Sequence, residues 1–172
     1  MVALLSEGLT LSMAASYNDT EYEEFDSIDN NACSLGPLRV GDSQDPLCTE
    51  TQDLSGNNFP LTPETTFSAN LIYDWEMLSL NWSATASYLY TDEQYTSLFN
   101  NKNYDVIDSY DRWDARLSAR TTDLAWEVTA YVKNITDDRE VFFKERPSTI
   151  NDTTGYELTD PRTYGLRLTY NF

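Results

Sequence analysis

The chain contains no histidine among its 172 residues, and its 11 basic side chains are far outnumbered by 29 acidic ones. Without an imidazole the chain lacks the usual general base of hydrolases and the usual nitrogen ligand of zinc. Its formal charge of -18 argues against nucleic acid as a partner, because such binding requires basic groups that neutralise phosphates. No segment approaches the roughly 20 consecutive apolar residues of a membrane helix.

Cysteine is also scarce, with Cys33 and Cys48 as the only two, in an otherwise polar stretch. An even pair in a loop favours a disulfide and an oxidising compartment. Closing this loop is worth roughly 3 kcal/mol in the chain-entropy model. Two thiols without any histidine do not make an ordinary zinc site. The sequence therefore predicts a disulfide between Cys33 and Cys48, and no metal site or cofactor.

Aromatic residues, by contrast, are abundant. The chain has 12 Tyr, 7 Phe and 4 Trp, against only 6 Gly and 6 Pro. Tyr and Trp are favoured where one end of the side chain is in an apolar medium and the other in water, as at a bilayer interface. A protein that crosses a membrane with strands escapes hydropathy tests, since only alternate residues are apolar. The mean hydropathy of -0.54 is therefore compatible with a membrane protein.

The last nine residues alternate without a break and stop on an aromatic residue. One face carries Tyr164, Leu166, Leu168, Tyr170 and Phe172, and the other carries polar residues and glycine. A soluble protein gains little from ending a strand in this way. A bacterial outer-membrane barrel gains much, because its closing strand needs one face in lipid.

Similar alternation marks six segments: 9–18, 66–75, 78–91, 109–120, 124–135 and 161–172. Each is about as long as a tilted membrane strand or somewhat longer. The connections are in turn long (19–65), short (around 75–77), long (92–108), short (121–123) and long (136–160). Bacterial barrels have short periplasmic turns and long outer loops. The pattern predicts an all-β fold, an antiparallel transmembrane β-barrel segment.

The charged residues of these strands share the polar face, where a watery or plugged lumen would tolerate them. Facing lipid near the midplane, each Lys or Arg would cost about 2–4 kcal/mol. We expect Arg116 and Glu127 to pair across neighbouring strands. The predicted lumen-facing charged residues are Arg112, Asp114, Arg116, Arg120, Glu127, Lys133 and Arg167.

A soluble antiparallel sandwich would give a similar alternation. The loop lengths, the aromatic-rich apolar faces and the terminal Phe172 favour the barrel. A secreted enzyme with paired carboxylates is the other alternative. Its acid pairs, such as Asp137 and Asp138, are adjacent and would point to opposite faces of a strand, and no nucleophile elbow or phosphate loop is present. No catalytic residue is predicted.

Several segments resemble the TonB-dependent outer-membrane receptors. These are residues 130–137 (AYVKNITD), 160–172 (DPRTYGLRLTYNF), 9–12 with 19–22 (LTLS, DTEY), 52–57 (QDLSGN) and 61–64 (LTPE). The resemblance implies that residues 1–172 are the C-terminal portion of a 22-stranded barrel, without its plug domain. It also implies that the terminal aromatic pattern is the signal read by the barrel-assembly machinery.

The same resemblance implies import of a scarce solute such as a ferric siderophore, energised through TonB. The implied partners are outer-membrane lipid and lipopolysaccharide, the remaining barrel and plug, and the TonB system through a missing N-terminal part. The implied location is the outer membrane of a Gram-negative cell. Met1 to Ala15 lacks a basic start and has the pattern of a strand, so we expect a fragment.

Solute contacts are expected from the outer loops, with Tyr95, Phe99 and Tyr104 as candidates. The alternative is that these aromatic side chains only pack within the loops or belong to an aromatic belt at the membrane interface. The acidic loops are read as solvated surfaces, with cation bridging to lipopolysaccharide or a cationic ligand as the alternative. An alternative function, a small self-contained barrel serving as an anchor or adhesin, would need two further strands hidden in 19–65 or 136–160.

Overall fold

The computed structural model of the chain describes residues 1–29, 50–145 and 155–172. The predicted disulfide between Cys33 and Cys48 lies outside these residues. Within them the structure is all-β, with thirteen strands: β1 (Val2–Ser6), β2 (Leu9–Tyr17), β3 (Asp26–Ser27), β4 (Gln52–Asp53), β5 (Thr65–Met77), β6 (Leu80–Thr91), β7 (Gln94–Tyr95), β8 (Val106–Ile107), β9 (Tyr110–Thr121), β10 (Trp126–Lys133), β11 (Val141–Glu145), β12 (Gly155–Leu158) and β13 (Thr163–Tyr170).

Seven strands form the main sheet, in the order β1-β2-β5-β6-β9-β10-β13, and every neighbouring pair is antiparallel. The predicted antiparallel fold is confirmed. Each of the six predicted segments corresponds to one strand of this sheet. The β5–β6 and β6–β9 pairs are the longest ladders, from Thr66 opposite Thr91 to Met77 opposite Leu80 and from Leu80 opposite Thr121 to Thr91 opposite Tyr110. None of the described residues belongs to a helix able to span a membrane.

The seventh strand, β1, differs from the sequence prediction. Val2 and Leu4 lie opposite Ser12 and Thr10 of β2, so these apolar residues are on the face that is polar in the other strands. The pairing also contains an irregularity between Leu4 and Ser6. Because β1 departs from the alternation used to find the other strands, the pattern did not reveal it.

Short turns join the strands at one edge of the sheet and long segments at the other. The turns are Glu7–Gly8, Leu78–Ser79 and 122–125, and the long segments are 18–64, 92–109 and 134–162. The predicted alternation of lengths is confirmed, with the second turn two residues later than expected. Leu78 and Ser79 both have positive φ, 56° and 60°. Positive φ at both central residues suits the twist of a two-residue hairpin, but such turns are usually made by Asn or Gly. Because Leu and Ser are not typical turn residues, the sequence did not reveal the position of this turn.

The described parts of the long segments carry short hairpins of their own. β3 pairs with β4, β7 with β8, and β11 with β12, each as a separate two-stranded sheet. None of these strands joins the main sheet, so the two further strands needed by a small closed barrel are not found among the described residues. In the main sheet, β1 and β13 each pair on one side only, and they do not pair with each other.

Candidate functional site

The polar face of the main sheet carries all seven charged residues singled out from the sequence. Arg112, Asp114, Arg116 and Arg120 alternate along β9, Glu127 and Lys133 share the same face of β10, and Arg167 lies on β13 opposite Thr129. Polar residues, with the acids Asp74 and Glu76 among them, continue this face across β5 and β6, where the Ser87 hydroxyl donates to Asn70 Oδ1 at 2.7 Å. That the face borders a lumen remains a prediction.

The register corrects the expected ion pair. Arg116 lies opposite Tyr131, whereas Arg120 lies opposite Glu127. Arg120 Nε donates to Glu127 Oε2 at 2.8 Å, and its Nη2 contacts the same oxygen. Four residues of spacing separate the two arginines, and only the register set by the 122–125 turn decides which one meets Glu127.

The second acid of the seven, Asp114, also has partners. Its Oδ1 accepts a hydrogen bond from the backbone N–H of Asn134 at 2.8 Å and lies 3.5 Å from Arg112 Nε. Both acids among the seven residues therefore have partners: Glu127 is bound by Arg120, and Asp114 by Arg112 and the Asn134 N–H. Arg116, Lys133 and Arg167 form no ion pair with the described residues. Together with Tyr131 and the two acids Asp114 and Glu127, they line one cavity of about 560 Å³ on the polar face.

The loop edge of β10 and β13 is closed by a clasp of Asn134, Asp137, Asp160 and Arg162. Asn134 Nδ2 donates to the carbonyls of Asp138 (2.7 Å) and Asp160 (2.9 Å), and Asn134 is only 3% exposed. Asp137 accepts from the Arg162 N–H at 2.8 Å. These hydrogen bonds thus join residues 130–137 and 160–172, the two segments that resemble known receptors. The sequence flagged both segments but not this contact.

The first two long segments are tied together in the same region. Asn58 N–H donates to Asn100 Oδ1 at 2.7 Å, and Asn100 Nδ2 donates back to the Asn58 carbonyl at 3.0 Å. Leu61 N–H donates to the Tyr95 carbonyl at 2.7 Å. Such reciprocal bonds fix the relative position of the two segments at the loop edge. Asn58 and Asn100 are 42 residues apart in the sequence, so no local sequence pattern could predict this contact.

The three aromatics proposed as solute contacts lie in the segment between β6 and β9. Tyr95 is in β7, and Phe99 and Tyr104 lie between β7 and β8; all three are half-buried. They sit beside the best-buried part of the described loops, where Ile107 is 1% exposed and Asp105 is fully buried. The structure thus places them at the loop edge, and their contact with a solute remains a prediction.

The opposite face of the sheet is apolar and open. Tyr164 is 80% exposed, Leu166 79% and Leu168 65%. Tyr170 and Phe172, the other two residues of the terminal pattern, are exposed as well. Only Leu54 and Ile107 are buried hydrophobic residues in the described part of the chain, and both lie in the long segments. The apolar side chains of the main sheet therefore do not pack into a core of these residues.

Aromatic residues form two belts on that open face. Near the turns, Trp75 stacks on Trp82 with ring centres 5.9 Å apart, and Trp126 contacts Tyr170 at 4.5 Å. Near the loops, Tyr88 contacts Trp113 at 4.5 Å. Between the belts β6 presents only Ala84 and Ala86 on this face. An apolar band flanked by aromatic girdles is typical of the outer surface of a membrane barrel.

Two carboxyl groups outside the main strands have shifted pKa values. The Thr121 hydroxyl and the Ala125 N–H donate to Asp123 and lower the pKa of its carboxyl. The Ser55 hydroxyl and N–H do the same for Asp53, so its pKa is also lowered. Both acids stabilise turns in the ionised form. In the described residues no group of three or more acids or thiols is arranged to hold a metal ion.

Comparison with known proteins places this architecture in context. A family model described as "TonB dependent receptor-like, beta-barrel" matches residues 5–135. Comparison of the sequence with curated proteins gives no match. Two crystal structures resemble the chain, and both are receptors with far longer chains.

The ferric yersiniabactin uptake receptor FyuA from Yersinia pestis is 12% identical, with a TM-score of 0.68 over 98% of this chain and 22% of that one. The siderophore receptor PiuA from Acinetobacter baumannii is 16% identical, with a TM-score of 0.61 over 97% of this chain and 20% of that one. At these identities the likeness establishes the fold. The chain spans about a fifth of the length of either structure.

Proposed function

The chain belongs to the TonB-dependent receptor-like β-barrel family, and on that premise we propose that its seven strands are part of the wall of an outer-membrane transporter. The transporter imports a scarce solute through a lumen bordered by the polar face. The observation that carries the proposal is the distribution of side chains, apolar and exposed on one face, polar and charged on the other.

The open apolar face supports a lipid environment over water. Leaving apolar surface in water costs roughly 25 cal/mol for each Å². A soluble sandwich would cover this face with a second sheet, but the described residues of the long segments form only short hairpins at the loop edge. Lipid tails cover the face without any further protein, and the aromatic belts then lie at the two interfaces.

The free edges of β1 and β13 support incorporation into a larger barrel. An unpaired strand edge in a bilayer leaves backbone groups without partners, which is costly. We propose that further strands of the same receptor complete the barrel and that its plug fills the lumen. The small self-contained barrel, as anchor or adhesin, finds no support in the described strands, because β1 and β13 do not meet.

The proposal extends to partners and energy source. Both solved relatives carry siderophore-related names, one for ferric yersiniabactin uptake and one as a siderophore receptor. We propose a ferric siderophore as the solute, TonB as the energising partner, lipopolysaccharide and lipid around the barrel, and the barrel-assembly machinery as the reader of the pattern from Tyr164 to Phe172. Transport of this kind involves no catalytic residue.

Uptake of radiolabelled ferric siderophores by cells tests this proposal. Cells carrying the natural gene are compared with cells from which it is deleted, each with and without a functional TonB. We expect accumulation that requires both the gene and TonB and that stops when the proton-motive force is dissipated. Uptake that is the same in the deletion strain, or a protein that fractionates away from the outer membrane, contradicts the proposal.

A further inference from the structure

Two neighbouring turns of the main sheet expose a leucine at their tips. Leu78 is 82% exposed and Leu124 is 53% exposed. Both have positive φ, 56° and 62°, a conformation in which turns ordinarily carry Asn, Asp or Gly. The two turns adjoin, because Thr122 lines the same shallow depression as Leu78 and Leu80. A turn in water would gain from a polar residue at both leucine positions.

The apolar face of the sheet continues to these tips, past the aromatic belt near the turns. Met77 is 48% exposed, and its cross-strand partner Leu80 lies on the apolar face between Trp82 and the turn. On β13, the fully exposed Phe172 follows Tyr170 and contacts its ring edge-on at 5.1 Å. Exposed apolar side chains thus extend from the belt to the end of the sheet.

Several polar groups of this edge are bonded within the protein. The Trp82 indole N–H donates to the Met77 carbonyl at 3.1 Å. The Asn171 side-chain amide donates to the Leu124 carbonyl at 3.0 Å, and the Asn171 backbone N–H donates to the Ala125 carbonyl at 2.9 Å. Backbone in contact with lipid must find its partners in the protein, since no water is there to supply them. These bonds therefore suit surroundings in which water is scarce.

The length of β6 gives an independent reason to place the turn in the membrane. Between the two belts, from Trp82 to Tyr88, β6 covers about 15 Å along the membrane normal, at about 3.3 Å per residue and a tilt of about 40°. The apolar band of a barrel is about 25 Å tall. From Leu78 to Tyr88 the same rise and tilt give about 25 Å. On the loop side the surface becomes polar, because the Tyr90 hydroxyl donates to Asp92 at 3.1 Å. The band therefore reaches its full height when the turn tip is included.

We propose that the turns carrying Leu78 and Leu124 lie in the membrane interface, with both leucine side chains and Met77 inserted among the phospholipid acyl chains on the turn side. Leucine is among the residues that enter lipid most favourably. The occupant is lipid because this surface continues the apolar face of the sheet without a break. The charged Asp123 of the second turn keeps the tips at headgroup level, since a charge deep in hydrocarbon is costly. This inference rests on the proposed function and extends it from the strands to the turns.

Quenching of a fluorescent label reports the position of the tips. Leu78→Cys and Leu124→Cys, each in a Cys33→Ser/Cys48→Ser background, carry bimane in phosphatidylcholine vesicles with or without bromine on the acyl chains. Brominated lipid quenches a label that reaches the acyl chains, and aqueous iodide quenches a label in water. We expect brominated lipid to remove most of the fluorescence at both positions and iodide to remove little. The matched control is Leu61→Cys in the loops, where the leucine also has positive φ, 53°, and is 49% exposed; there iodide quenches and brominated lipid does not.

Substitution by asparagine gives a second test that needs no label. Asparagine accepts positive φ more readily than leucine, so Leu78→Asn stabilises a turn in water, whereas in lipid the loss of the apolar side chain destabilises it. We expect the denaturant midpoint in lipid vesicles to fall in Leu78→Asn and in Leu124→Asn. In the control Leu61→Asn the midpoint stays the same or rises.

Several outcomes overturn the inference. Quenching by iodide alone at positions 78 and 124 would place the tips in water, and resistance to both quenchers would show that protein covers them. A higher midpoint in Leu78→Asn would also contradict the lipid contact. A label in Ala84→Cys separates the two proposals. If brominated lipid quenches it but not the tips, only the placement of the turns fails; if it is not quenched, the lipid-facing wall itself fails.

Discussion

Gly165 lies directly opposite Tyr131 in the β10–β13 ladder, and the phenol ring occupies the space above the glycine. A ring covering a cross-strand glycine shields backbone that would otherwise be open, and it fixes the ring in one position. This pair joins the two strands nearest the free edge of β13. Its disruption therefore tests both the register and the packing of the polar face.

Replacing Gly165 by valine should weaken the β10–β13 pairing. The new side chain meets the ring within 3 Å, so Tyr131 must turn away and its cross-strand contact is lost, at a cost of about 1 kcal/mol. The free energy of unfolding by denaturant in lipid vesicles measures this change. In a Tyr131→Ala background the same glycine substitution should cost much less. Equal costs in both backgrounds would show that the two residues are not coupled.

Gly8→Ala should disturb the β1–β2 hairpin more severely. Gly8 has φ of +76°, and a Cβ there would lie 2.2 Å from the backbone oxygen of Asp74, which cannot swing aside. The matched control is Gly56→Ala, with φ of +81° and open space around the added methyl group. We expect Gly8→Ala to cost about 2 kcal/mol more than Gly56→Ala. Comparable hydrogen-exchange protection of the Met13 amide in both variants would contradict the close approach.

Asn134→Ala should loosen the clasp at the loop edge. The substitution leaves the carbonyls of Asp138 and Asp160 without their donor and puts alanine at a φ of 51°, for a combined loss of about 2–4 kcal/mol. Asn134→Gly keeps the backbone conformation accessible and isolates the hydrogen bonds. Limited proteolysis of the segment between β10 and β13 measures the loosening. A digestion rate unchanged in Asn134→Ala would show that the clasp does not hold this segment.

The 122–125 turn should weaken only in acid. The Thr121 hydroxyl and Ala125 N–H lower the folded-state pKa of Asp123 below its ordinary value of 3.8. Its stabilisation is therefore complete above the unfolded-state pKa and is lost as the pH falls through the lower folded-state value. Hydrogen exchange of the Ala125 amide, corrected for intrinsic rate, should show this loss of protection. Asp123→Asn should remove the pH dependence, and a variant that retains it would assign the transition to another group.

Much of this architecture is readable from sequence because strands with one apolar and one polar face must obey strict alternation. Six strands, their faces and the alternation of connection lengths follow from period-two patterns such as Leu80 to Tyr90 on β6. The pattern fails at β1, where Val2 and Leu4 lie on the polar face. It also fails at the turn of Leu78 and Ser79, because these residue types rarely adopt positive φ.

The site was less predictable, since it depends on register and on contacts between distant segments. The sequence correctly grouped the charged residues on one strand face, yet it paired Glu127 with Arg116 where the structure pairs it with Arg120. A shift of a few residues in one turn decides between these partners. The Asn58–Asn100 contact and the Asn134 clasp join segments whose approach no local pattern encodes.

A nitroxide scan along β6 tests the central claim, that the apolar face contacts lipid and the polar face does not. Single cysteines at positions 82–88, in a Cys33→Ser/Cys48→Ser background, carry the label in lipid vesicles. We predict a period of two, with collisions with oxygen dissolved in lipid highest at Ala84 and Ala86, and collisions with an aqueous nickel complex favoured at Ser83, Thr85 and Ser87. Low accessibility to both reagents at Ala84 and Ala86 would mean a protein core covers that face and would contradict the barrel-wall account.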